Sequence, residues 1–144
     1  KIGELSVVEK ILEINASIGG EGNGGVIYPK INTARDSLVG IALILELMAK
    51  ENKKISEIVE SLPKYIMQKE KIIFTKDLSL LYEKLKKQFP DALINDIDGL
   101  RFDFADSSWI HVRPSNTEPV IRIIGEATDQ KRLETLFKEI KLIL

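Results

Sequence analysis

Apolar positions along the chain change period several times, and each change predicts an element. Val7, Val8, Ile11, Leu12 and Ile14 recur at helical spacing, so Ser6 to about Asn15 is expected as a short amphipathic helix. Ala16-Ser17-Ile18 then predicts a brief strand running into a glycine cluster, Gly19-Gly20-Glu21-Gly22-Asn23-Gly24-Gly25. Val26-Ile27-Tyr28 predicts a second strand, closed by Pro29. Asp36 is placed as the N-cap of a helix through Lys50. That helix is apolar nearly all round, a pattern that predicts burial. Ile55, Ile58, Val59 and Leu62 mark one more helix, stopped by Pro63.

From about Lys64 the pattern changes. Ile72-Ile73-Phe74 predicts a strand, and Asp77 caps a helix whose inner face is Leu78, Leu81, Tyr82, Leu85 and Phe89, ended by Pro90. Leu100, Phe102 and Phe104 alternate with Arg101 and Asp103, as a half-buried strand requires. A turn at Ala105 to Ser108 leads to a strand from Trp109 to Arg113, and a polar loop, Pro114 to Pro119, to another from Val120 to Ile124. Thr128 or Asp129 starts a last helix with Leu133, Leu136, Phe137, Ile140 and Leu144 on one face. The order β-α-β-β-β-α predicts an α+β fold, an antiparallel sheet with both helices on one face.

Composition narrows the chemistry. With 44% hydrophobic and 30% charged residues among 144, the chain has a globular balance. Its 21 basic and 22 acidic side chains leave a formal charge of −1, which argues against a general nucleic-acid binder. It has no cysteine, which excludes disulfides, thiol catalysis and Cys-type zinc sites, and one histidine, His111. The longest apolar run, Leu38 to Ala49, is interrupted by Glu46 and falls short of the ~18–20 residues a bilayer requires. No signal peptide is visible, so a cytoplasmic segment of a longer protein is expected, with no nucleic-acid or membrane partner.

Two loops carry candidate chemistry. Gly20, Gly22 and Gly25 fit G-x-G-x-x-G, but a dinucleotide site needs a helix directly afterwards, and here a strand and Pro29 follow. A flexible turn and a ligand loop both stay open, the second with Glu21 and Asn23 as polar groups for hydroxyls. In the other loop, Arg113-Pro114-Ser115-Asn116-Thr117-Glu118-Pro119 gathers hydroxyls, an amide and backbone N–H groups, with Arg122 on the next strand. Such a set suits an anion, and an arginine fork matches phosphate bidentately. A hairpin turn with incidental arginines is the alternative. His111 lies on one strand face with Trp109 and Arg113, where sheet packing is expected, and Trp109 is expected in the core or at a sheet edge. Asn95-Asp96-Ile97-Asp98-Gly99 lacks the further acidic ligands of a calcium loop and is expected as a turn.

Together, Gly-Gly-Glu-Gly-Asn-Gly-Gly at 19–25 and Arg-Pro-Ser-Asn-Thr-Glu-Pro at 113–119 resemble the α-D-phosphohexomutase superfamily of phosphoglucomutases, phosphomannomutases and phosphoglucosamine mutases. The resemblance implies the end of an α/β third domain at 1–62 and a fourth, C-terminal domain at 63–144. It implies that Glu21 and Asn23 hold sugar hydroxyls, and that Arg113, Ser115, Asn116, Thr117 and Arg122 hold the phosphate remote from the reaction. Most members carry Ser where Asn23 stands, many carry His where Gly25 stands, and many carry Gly where Asn116 stands. The family's catalytic serine and its aspartate-rich metal loop belong to earlier domains, so neither a catalytic residue nor a metal site is expected here. Magnesium and a hexose 1,6-bisphosphate are implied for a full-length parent that moves a phosphoryl group between C1 and C6 of a hexose phosphate. The partners implied are that substrate and the remaining domains of the same chain. A free-standing, non-catalytic phosphosugar-binding module is the alternative reading.

Overall fold

A computed structural model describes residues 3–22, 24–115 and 117–144. It divides into two compact units, Lys1–Pro63 and Lys64–Leu144.

In the first unit, α1 (Glu4–Ile14) ends where Asn15 adopts the left-handed conformation, φ 51°, and its N–H closes on the carbonyls of Ile11 and Leu12. The strand expected at 16–18 is not there. The Ala16 N–H is still bonded to the Ile11 carbonyl in the turn leaving α1, so pairing begins later. It starts at β1 (Gly19–Gly20), which runs antiparallel to β2 (Val26–Ile27) with Gly19 opposite Ile27 and Gly20 opposite Val26. Asp36 caps α2 (Ser37–Glu51) as expected, its carboxylate accepting the N–H groups of Leu38 and Val39 at 3.0 and 3.1 Å. The short α3 (Ile55–Glu60) follows.

The burial expected for α2 is corrected by the structure. Gly40 alone is buried among its residues, while Leu38 is 79% exposed and Leu45 58%. The reason is shortage of partner surface. This unit offers two strands of two residues each, and its buried hydrophobic side chains among the described residues are Ile11 and Ile27.

The second unit runs β3 (Ile66–Ile73), α4 (Leu78–Gln88), β4 (Leu93–Asn95), β5 (Leu100–Asp103), β6 (Trp109–Pro114), β7 (Val120–Ala127) and α5 (Gln130–Ile143). Its five strands form one antiparallel sheet in the order β3-β7-β6-β5-β4. Alternation sends Leu100, Phe102, Ile110, Val112, Ile121, Ile123 and Ala127 to one face. There they meet Leu81, Leu85 and Phe89 from α4 and Leu133, Leu136, Phe137 and Ile140 from α5. Both helices cover that face, and the α+β architecture is the expected one. Each fully buried Leu, Ile or Phe contributes about 1.5–3 kcal/mol.

Two strands differ from the expected pattern. β3 begins at Ile66 rather than Ile72, and β4 was not expected at all. Both are edge strands; β4 is exposed throughout, and the half-buried positions of β3 include the polar Gln68 and Glu70, so no alternation of apolar and polar residues marks either. Trp109 is also corrected: it lies neither in the core nor on an edge. Because Ile110 and Val112 face the helices, Trp109 faces the other way on an interior strand. Its indole N–H donates to Glu126 Oε1 at 3.2 Å, and the Arg101 guanidinium stacks 4.1 Å from its ring.

Two glycines permit close approach. A Cβ on Gly125 would come within 2.9 Å of the Phe137 ring and 3.1 Å of Leu133, so its absence lets α5 settle on β7. Gly99, at φ +80°, ends the turn before β5, and a Cβ there would meet the Val112 carbonyl oxygen at 2.4 Å.

Candidate anion-binding site

β6 and β7 are joined by the loop 115–119, and their register decides what stands beside it. Arg113 lies directly opposite Arg122, and Arg122 opposite Lys71 on β3. All three occupy the sheet face that the helices leave open, since Val112, Ile121 and Ile123 take the covered one. The loop is pinned by three backbone bonds. The Ser115 N–H donates to the Val120 carbonyl at 2.9 Å, the Val120 N–H to the Glu118 carbonyl at 2.8 Å, and the Phe74 N–H to the Pro119 carbonyl at 3.0 Å. These turns bring the hydroxyls of Ser115 and Thr117 to 3.5 Å of one another. Asn116 lies outside the described residues.

Charge at the site is predominantly positive. Arg113, 20% exposed, has Asp98 Oδ2 3.7 Å from its Nη1. Glu118 Oε2 is 2.8 Å from Lys71 Nζ and 3.8 Å from Arg122 Nη2. The Lys71 ammonium, through its hydrogen bond and its charge, and then the Arg122 charge, hold the Glu118 carboxyl below its usual range. Among the described residues, the buried Nε atoms of Arg113 and Arg122 have no hydrogen-bond partner. A buried polar group in that condition costs about 1–3 kcal/mol. The arrangement can therefore receive an anion: two guanidinium groups have donors to spare, beside two hydroxyls.

His111 stands on the same face of β6. Its Nε2 meets the Asp98 carbonyl oxygen, an atom that only accepts, so Nε2 carries the proton. Burial, opposed in part by Asp98 and aided by the charges of Arg113 and Arg101, pushes its pKa down. A neutral imidazole tied to the Asn95–Gly99 turn is the sheet-packing role expected of it. That turn is closed by the Ile97 N–H donating to Asn95 Oδ1 at 3.1 Å.

The second candidate loop belongs to the first unit and joins β1 to β2. Glu21 Oε1 accepts the Gly3 N–H at 3.1 Å, and the Glu21 carbonyl accepts the Gly24 N–H at 3.1 Å. The Glu21 carboxylate thus ties the loop to the start of α1. Asn23 lies outside the described residues.

Of the residues singled out from sequence, the structure brings together Arg113, Ser115, Thr117 and Arg122. It adds three charged groups that sequence reasoning did not place at a site: Lys71, Asp98 and Glu118. Glu118 stands inside the motif and could have been included on that ground. Lys71 and Asp98 reach the loop through sheet register and a turn, for which no local signal exists. Among the described residues no three His, Asp or Glu side chains converge as a metal site would require. No helix among them is long and apolar enough to cross a membrane.

These features define an α+β protein with an arginine-flanked hairpin loop on the uncovered face of its sheet. Comparison with known proteins is specific. The alpha/beta/alpha domain III of the phosphoglucomutase/phosphomannomutase family matches residues 1–65, and the C-terminal domain of the same family matches residues 50–143. The chain belongs to the phosphoglucomutase/phosphomannomutase family. It is 41% identical to a phosphoglucomutase/phosphomannomutase of Thermococcus kodakarensis over 99% of its length and 32% of the relative's. It is 34% identical to a phosphoglucosamine mutase of Methanocaldococcus jannaschii over 99% of its length and 33% of that protein's. A crystal structure of a family member from Burkholderia thailandensis superposes with a TM-score of 0.78 at 28% identity, covering 100% of this chain and 31% of the other. The chain spans about a third of the length of the relatives it matches.

Proposed function

We propose that this chain is the substrate-positioning part of a hexose-phosphate mutase, its residues 1–62 ending the third domain and 63–144 forming the fourth. Arg113, Ser115, Asn116, Thr117 and Arg122 bind the phosphate that does not react. Glu21 and Asn23 bind sugar hydroxyls. The observation that carries this reading is the register of β6 and β7, which sets Arg113 against Arg122 beside the paired hydroxyls of Ser115 and Thr117. Binding energy gathered on the remote phosphate orients the sugar, so that a phosphoryl group can pass between C1 and C6.

The chemistry itself falls to other domains of the same chain. When bound there, magnesium neutralises charge on the transferring phosphoryl group. On this reading the residues that hold it belong to those other domains. The apolar face that α2 leaves exposed is, on this reading, a surface that other parts of the parent cover. The chain by itself binds a sugar phosphate and turns nothing over. Turnover that tracks the purified chain in a coupled mutase assay would overturn that division of labour.

The test of the site is a titration of amide chemical shifts with inorganic phosphate and then glucose 6-phosphate. Shifts are expected at 113–122, with an affinity of roughly 1 mM, about −4 kcal/mol. Arg113→Ala should cost about 1.5–3 kcal/mol, the scale of a charge-assisted hydrogen bond, and take binding below detection. Arg113→Lys should recover only part of it, since a point charge cannot reproduce the fork. Shifts that miss this segment, or an Arg113→Ala chain that binds as before, would reduce the loop to a turn.

A further inference from the structure

Three like charges stand in one row across neighbouring strands. Lys71 on β3 is opposite Arg122 on β7, which is opposite Arg113 on β6. Like charges directly opposite one another destabilise a sheet, so such a row needs counter-charge. Two carboxylates supply it from opposite ends: Asp98 beside Arg113 at 3.7 Å, and Glu118 shared between Lys71 at 2.8 Å and Arg122 at 3.8 Å. The row therefore keeps one positive charge in excess. Glu118 lies in the loop itself, three residues from Ser115 and next to Thr117.

Placement separates Lys71 from Lys69, the other lysine of its strand. Lys69 points to the same face but stands opposite Ile124, one step further along β7 and away from the loop. At Lys71 the neighbours are instead Arg122 and the loop carboxylate. Lys71 is an exposed, flexible side chain on an edge strand, able to swing from Glu118 to another acceptor close by.

We propose that Lys71 is a third cation of the phosphate site and that Glu118 is the resident counterion an arriving phosphate displaces from it. The proposal rests on the phosphate-site reading above and extends it to a residue 42 positions upstream of Arg113. With the site empty, the Glu118 carboxylate bridges Lys71 and Arg122 and relieves their repulsion. When a phosphate enters, its oxygens take over the ammonium and guanidinium donors, and Glu118 turns to water. Glu118 thereby sets the affinity: it holds the cations ready and competes for them. Its depressed pKa keeps it ionised in the competing form through neutral pH.

The experiment is a phosphate titration on the 144-residue chain and four variants, Lys71→Gln, Lys71→Arg, Lys69→Gln and Glu118→Gln, read by amide shifts at Arg113 and Arg122. Lys71→Gln should weaken phosphate binding by about 3- to 10-fold, the range for a charge-assisted contact that solvent partly screens. Lys71→Arg should bind within about 2-fold of the unaltered chain, since it keeps the charge. Lys69→Gln should leave binding unchanged. Glu118→Gln should tighten it by about 3- to 10-fold, because the competitor loses its charge. Equal effects of Lys71→Gln and Lys69→Gln would overturn the proposal while leaving the phosphate site standing. Weaker binding by Glu118→Gln would overturn the displacement by making that residue a support. An unaltered chain whose Arg113 and Arg122 amides ignore phosphate would overturn both the site and this extension of it.

Discussion

Gly99→Ala tests whether the turn that carries Asp98 depends on a missing side chain. At φ +80° an alanine pays about 1–2 kcal/mol for the left-handed conformation. Its Cβ would sit 2.4 Å from the Val112 carbonyl oxygen, 2.6 Å from Arg113 Cβ and 2.8 Å from Arg113 Cα. None of these is the far end of a flexible side chain, so strand β6 or the turn must shift. Overpacking of that kind adds about 1–3 kcal/mol. The total is about 2–5 kcal/mol, against the roughly 4–12 kcal/mol expected for a unit of this size. Urea unfolding followed by Trp109 fluorescence and by far-ultraviolet circular dichroism measures it, because Trp109 reports on β6 directly. The transition midpoint should fall without a change in slope. Ile97→Ala, in the same turn but 66% exposed, should stay within about 0.5 kcal/mol of the unaltered protein. A Gly99→Ala protein as stable as Ile97→Ala would refute the reasoning, since it would mean the turn accommodates a Cβ at no cost.

Burial holds the His111 pKa below its ordinary 6.5 in the fold, so the unfolded chain binds more protons in the window beneath that value and stability rises with pH. Unfolding free energy should therefore decline as pH falls through the mid-6 range, above the region where carboxylates titrate, and His111→Gln should flatten the slope. A slope of the opposite sign, or one the variant retains, would exclude His111 as its source. Asp129 caps α5 by accepting the Arg132 N–H at 3.0 Å, and Asp129→Ala should cost about 1 kcal/mol in the same urea assay. An unchanged midpoint would show that the cap contributes nothing net.

The helices and interior strands were legible because each has a period and a boundary residue. Asp36, Asp77 and Asp129 all cap the helices they precede, and Leu100 and Phe102 show on which face β5 is buried. The Arg113–Pro119 loop was legible as chemistry because its donors are contiguous in the chain. Edge strands β3 and β4 were not, since β4 is exposed throughout and the half-buried positions of β3 include the polar Gln68 and Glu70, which leaves no alternation to read. Burial of α2 was misread for a related reason: an all-round apolar pattern states what a helix needs, and whether enough surface is present to cover it depends on the rest of the fold.

By itself, then, the sequence determined the helices, the interior strands of the second unit, the inward face of β5 and the cluster of hydroxyls between two arginines. These follow from side-chain period and backbone preference, which act over a few residues. Tertiary structure alone decided that β7 lies between β3 and β6, and with it the row Lys71, Arg122 and Arg113. It also decided that the turn at Gly99 delivers Asp98 to Arg113 and the Asp98 carbonyl to His111. Strand pairing joins residues tens of positions apart through backbone hydrogen bonds that are the same for every residue. A charge on one strand therefore carries no local mark of the charge it will face on the next.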